Sequence, residues 1–129
     1  MMRAPTTVAL LAAATVVLWL VAFPADWNVV PTADPQTYTS PLTAQHWTVA
    51  VVGLAVLAFT GGLVRGPAAA LLGVAVPAIA LYCWFSATAE VIGANLWVVG
   101  ALLFAPAVVA GVAVLGALGR TARRHRTPT

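Results

Sequence analysis

Four uninterrupted apolar runs, each close to a bilayer's thickness in helical length, divide nearly the whole chain between them. A helix rises 1.5 Å per residue, so about 20 apolar residues cross the roughly 30 Å of hydrocarbon in a membrane. Within hydrocarbon every peptide group needs a partner, and a helix supplies those partners from its own segment. None of the runs alternates with period two, which argues against a transmembrane barrel. The expected fold is therefore all-α and integral to the membrane, a bundle of four transmembrane helices.

The expected boundaries follow from the residues that start and stop helices. The first helix covers about 6–23, opened by Pro5 and closed by Pro24. The second covers about 41–64, with Ser40 as N-cap, Pro41 at the first helical position and Arg65-Gly66-Pro67 as its end. The third covers 67–87 and extends to Ile92 if Gly93 is what breaks it. The fourth covers 96–118, capped by Asn95 and ended by Gly119 and Arg120. A loop at 24–40 and a basic tail at 119–129 complete a single transmembrane domain, 1–129. The first run exceeds the usual 7 to 15 residues of a signal peptide's apolar region, and Phe23 stands where a cleavage site needs a small residue, so it is expected to remain as a helix.

Charge sets the orientation. Only 7% of residues are charged, where a soluble domain carries about 25%, so the position of each charge matters. Every basic side chain is an arginine. Arg3 precedes the first helix, Arg65 lies between the second and third, and Arg120, Arg123, Arg124 and Arg126 follow the fourth. With four helices these places share one side, and Asp26, Asp34 and Glu90 fall at or near the other. The positive-inside bias then puts both termini in the cytoplasm, N-in and C-in, with the tail arginines as lipid and topology anchors at the cell membrane. Trp19, Trp27, Trp47, Trp84 and Trp97 all fall towards the opposite side, where indoles favour the headgroup level as an interfacial belt.

The residue inventory excludes several chemistries. Cys83 is single, so the paired thiols of a membrane disulfide oxidoreductase are absent. His46 and His125 belong to opposite sides and cannot hold one haem between them. No Cys or His cluster has metal-ligand spacing, no glycine-rich phosphate loop precedes a helix, and no Ser-His-Asp set is evident. No cofactor, metal or nucleic-acid partner is expected. Lipid is the expected surrounding, with a membrane-protein partner or a second copy as the expected protein contact.

What remains is one polar constellation and several faces of small residues. If the third helix runs past Ser86, then Tyr82, Ser86 and Glu90 succeed one another at four-residue steps along one face. His46, beside Gln45 at the start of the second helix, and Asn95 would lie at similar depth, making Glu90, Ser86, Tyr82, His46 and Asn95 the candidate functional cluster. Glu90 in that arrangement either pairs with His46 or stands solvated at the helix end. Ala58, Gly62 and Gly66, then Ala69 and Gly73, then Ala107 and Gly111 recur at four-residue spacing and let helix backbones approach closely. Pro77 and Pro106 fall within apolar runs, and each frees a carbonyl four residues earlier, at Gly73 and Leu102. These features favour a non-enzymatic accessory or assembly subunit. The alternative is a small transporter or ligand-binding membrane protein working around Glu90.

Overall fold

A computed structural model describes residues 3–33, 38–91 and 94–126. Asp34, counted above with the acidic side, and Ile92, the far limit expected for the third helix, lie outside the described residues. Four helices are long and apolar enough to cross a membrane: α1 Ala4–Ala22, α2 Ala44–Arg65, α3 Pro67–Thr88 and α4 Trp97–Arg126. Arg3, Arg65 and the arginines of the last turns of α4 define one end of the bundle, and the tryptophans gather towards the other.

α1 begins with Pro5 in its first turn and stops at Phe23, whose extended backbone suits the residue before a proline. Thr7, Leu11, Thr15, Trp19 and Ala22 are its buried residues, one stripe at helical spacing that faces α2 and α3. α2 starts three residues later than Ser40 and Pro41 suggested. Thr43 is its N-cap, and the cap is reciprocal: Thr43 Oγ1 accepts from the His46 N–H, and His46 Nδ1 accepts from the Thr43 N–H at 3.0 Å. Ser40 instead forms a small turn of its own, its Oγ accepting from the Leu42 N–H. Gly66 closes α2 with φ +96°, a conformation that a residue with a Cβ adopts only under strain, and Pro67 opens α3 directly behind it.

α3 is not uniform. Pro67–Ala70 is α-helical, Leu71–Ala75 widens into one π turn, and Val76–Thr88 is α-helical again. The widening accommodates Pro77, which lacks the N–H that a regular helix would direct at Gly73. The Gly73 carbonyl instead lies 3.1 Å from the hydroxyl of Thr15 on α1, which also lies 2.8 Å from the Leu11 carbonyl. Thr15 is wholly buried, so its single proton is shared between two carbonyls in an apolar interior.

α4 continues as helix through Arg120, Arg123 and Arg124 to Arg126, eight residues beyond the expected end at Leu118. Its tail arginines complement the negative end of the helix dipole, and Arg123 Nη1 donates at 2.8 Å to the Val64 carbonyl, an open acceptor at the end of α2. The connection from α1 to α2 carries a short antiparallel ladder, β1 Val30–Pro31 with β2 Tyr38–Thr39.

α2 and α4 form the most extensive helix pair. They meet at glycines near the arginine end. A Cβ on Gly62 would overlap the Gly116 carbonyl oxygen and come within 2.5 Å of its Cα, and one on Gly119 would overlap the Phe59 carbonyl oxygen. These backbones touch, which only glycine permits. Further from that node the two helices are no longer in such contact: a Cβ on Gly111 would meet nothing within 4 Å.

Candidate functional site

The five residues of the expected polar cluster do not form one face. α3 ends at Thr88, with Ala89 already extended, so Glu90 lies beyond the helix and is exposed. The stop has a local cause. Asn95, expected to cap α4, instead turns back to donate its Nδ2 to the Ser86 carbonyl at 2.8 Å and the Ala89 carbonyl at 3.2 Å, satisfying open acceptors at the end of α3. α4 then starts with Leu96 supplying the first carbonyl, to the N–H groups of Val99 and Gly100.

Glu90 is engaged through its backbone. Its N–H donates to Asn28 Oδ1, and its carbonyl accepts from the Val29 N–H at 3.0 Å, stitching the α1–α2 connection to the α3–α4 connection. His46 directs its Nδ1 to the cap of α2, and among the described residues its ring makes no contact with the Glu90 carboxylate. Tyr82 stacks on Phe104 of α4, with centroids 4.2 Å apart and planes at 14°, while Ser86 contributes its backbone carbonyl to Asn95. The constellation is thus a structural clasp in which backbone groups at one end of the bundle satisfy one another. Arg120, Arg124 and Arg126 are exposed at the other end.

What fills the aromatic end is a packed cluster rather than an interfacial belt. Trp19 is 1% exposed and Trp27 7%, with their rings stacked at 5.8 Å. Phe23 lies 4.7 Å from Trp19 and 5.3 Å from Trp27, and Trp47 meets Phe23 edge-on at 4.9 Å. Tyr82 and Phe85 reach Trp27 from α3. The separations and tilted or edge-on geometries are those that aromatic quadrupoles favour. The indole nitrogens of Trp19 and Trp27 are buried with no hydrogen-bond partner among the described residues. Trp84 is 68% exposed and Trp97 partly exposed, so these two stand closer to the outward placement expected of the whole set.

Beside this cluster, between α2 and α4, lies a cleft of about 330 Å³. Trp19 and Trp47 border it, Leu54 and Val112 are buried in its floor, and Val51 and Gly111 are exposed at its margin. Its origin follows from the glycine node: two helices held in backbone contact at Gly62, Gly116 and Gly119 leave a gap where Gly111 contributes no side chain and no neighbour takes its place. Among the described residues its lining carries no ionisable group, so recognition there would rest on shape and dispersion. Ala107 and Gly111, two of the small residues noted in the sequence, were the available signal for it. Of the other small-residue positions, Gly62 packs against α4 and Gly73 against Leu11 and Val8 of α1. Among the described residues no group of three or more His, Cys, Asp or Glu gathers as a metal site.

No family model, curated protein or solved structure matches the chain. Its reading rests on its own residues.

Proposed function

We propose that this is an integral membrane protein whose four helices all cross the bilayer, with both termini cytoplasmic, and that it acts by binding, as a non-enzymatic accessory or assembly subunit of a membrane complex. The length and apolarity of the helices support insertion. The gathering of all six arginines at one end and of the aromatic cluster at the other supports the orientation. The observation that carries the subunit reading is the state of α4. Only 6% of its most apolar 18-residue window is buried within the bundle, against 22–33% in the other three helices. Leu102, Leu103, Val114 and Leu118 are all more than half exposed along it, a face open to a neighbouring helix.

Extraction from native membranes in mild detergent, followed by native mass spectrometry, should recover the chain with a stoichiometric protein partner. A strictly monomeric species would refute the subunit reading. Reporters fused at the C-terminus or in the Arg65 turn should report cytoplasm, and reporters near Asp34 the outside; an external Arg65 would overturn the orientation.

A second reading, a small ligand-binding membrane protein, is favoured by the cleft between α2 and α4. Its centre is that cleft and not Glu90, whose hydrogen bonds run through its backbone.

A further inference from the structure

The arginine end of the bundle gathers positive charge that the chain does not neutralise. α2 and α4 run in the same direction and touch at Gly62, Gly116 and Gly119, which brings the last turns of both helices to one level. There the arginines of α4 close on the turn that joins α2 to α3. Arg123 Nη1 donates to the Val64 carbonyl at 2.8 Å, and Arg120 Cδ lies 3.8 Å from where a Cβ on Gly66 would stand. Arg65 sits between those two anchor points and is exposed, as are Arg120 and Arg124, which share one face of α4 at four-residue spacing. Such groups repel one another, yet the glycine contacts keep their backbones close. Among the described residues no carboxylate offsets them, because Asp26 and Glu90 both flank Asn28 at the aromatic end.

Depth selects the anion. Arg65 ends α2 about 32 Å from its start at Ala44, and Arg120 stands about 35 Å along α4 from Trp97. On the membrane reading above, on which this inference rests, a helix that leaves one interface meets the opposite headgroups after roughly 30 Å, so both guanidinium groups stand at phosphate level. The anion present there is the phosphodiester. It accepts two parallel hydrogen bonds from one guanidinium, a match that a lysine ammonium lacks. A zwitterionic head carries its own cation beside the phosphate, and the arginines repel it; a head of net negative charge brings no such penalty.

We propose that the α2–α3 turn and the last turns of α4 form a headgroup site for one anionic phospholipid, with Arg65, Arg120 and Arg124 as the groups that hold its phosphate. Arg123 is a positioning residue, since its bond to the Val64 carbonyl fixes the end of α4 beside the turn. The site differs from the general bias that keeps basic segments in the cytoplasm. That bias counts positive charges wherever they fall on one side, whereas here their position decides. Arg3 makes the distinction testable: it carries the same charge at the same end, but it stands on α1, which packs against α2 and α3 and not against α4.

The test uses the delipidated full-length chain in a neutral detergent, with phosphatidylglycerol or phosphatidylcholine of identical acyl chains added at equal concentration. Native mass spectrometry counts the adducts, and circular dichroism follows helicity. The wild type should retain one phosphatidylglycerol per chain and roughly tenfold less phosphatidylcholine. Arg120→Gln and Arg65→Gln should each retain about fivefold less phosphatidylglycerol, the effect of one basic residue beside an anionic head, and Arg65→Gln decides the matter if Arg120→Gln loses helicity. Arg3→Gln should retain as much as the wild type. Equal retention of the two lipids would overturn the proposal, and so would a loss in Arg3→Gln as large as in Arg120→Gln, which would make the attraction one of overall charge. Displacement of the lipid by inorganic phosphate at the same concentration would overturn it as well, because the arginines would then serve a dissolved anion. Resistance of the chain to alkaline carbonate extraction from membranes reports separately on the membrane reading, so the two can fail independently.

Discussion

Two glycine-to-alanine substitutions should move stability in opposite directions, although both sit in the apolar part of a long helix. In Gly62→Ala the new methyl falls on the Gly116 carbonyl oxygen and Cα. No flexible side chain is available to yield, so α2 and α4 must separate, and overpacking of this kind costs about 1–3 kcal/mol. The better helix propensity of alanine returns up to about 1 kcal/mol. Because the obstacle is backbone, the upper part of the first range applies, and a net loss of about 2 kcal/mol is expected. In Gly111→Ala the methyl meets nothing within 4 Å, so the propensity gain stands alone at up to about 1 kcal/mol. The pair should therefore differ by about 3 kcal/mol. Unfolding of both variants in one detergent, followed by far-ultraviolet circular dichroism across a denaturing-detergent titration, measures this. If Gly62→Ala proved as stable as Gly111→Ala, the backbone contact at the node would be refuted, and with it the account of why the cleft opens.

Three further outcomes are expected. Thr15→Val removes the hydroxyl shared by the Leu11 and Gly73 carbonyls and should cost about 0.6–1.7 kcal/mol in the same titration; no change would mean that the carbonyl left open by Pro77 is satisfied within its own helix. Asn95→Ala frees the Ser86 and Ala89 carbonyls to water and should speed hydrogen exchange at the end of α3, at a cost of about 0.5–1.5 kcal/mol, whereas unchanged protection there would exclude its capping role. Glu90→Gln and His46→Gln should combine additively within about 0.5 kcal/mol, since the histidine is held by the α2 cap and the glutamate by its backbone; a larger coupling in the double-mutant cycle would show that the two side chains meet.

The four helices were legible in the sequence because length and apolarity alone specify them, and the same holds for the separation of arginines from aromatics. Ends were less legible where a polar side chain had two physically acceptable jobs. Asn95 is a good N-cap by type, yet it serves as a donor to the helix before it, and that choice stops α3 before Glu90 can join the Tyr82–Ser86 face. Ser40 followed by proline has the form of a helix start, but Thr43 and His46 form a reciprocal cap with an imidazole where glutamate or glutamine is usual. The carbonyl that Pro77 leaves open was readable from spacing, though not that Thr15 of another helix would reach it. The cleft was the least legible feature. Gly62 and Gly111 look alike along the chain, and only the crossing of α2 over α4 makes one a contact and the other a gap.

The π turn at Leu71–Ala75 also carries a constraint on chain length. One extra residue per turn advances everything after it by a single helical step, about 100° around the axis. In the observed phase Ala69 and Ala70 are buried before the turn, while Tyr82 and Phe85 meet Trp27 after it. Deleting one residue between Leu71 and Ala75 would turn the segment into regular α-helix and leave Tyr82 and Phe85 in their present phase, whereas regularising it with all its residues kept would swing both off the tryptophans by about 100°. In this segment the residue count and the π turn are matched, so a single-residue gap inside it should be tolerated far better than a single-residue insertion or a gap elsewhere in α3.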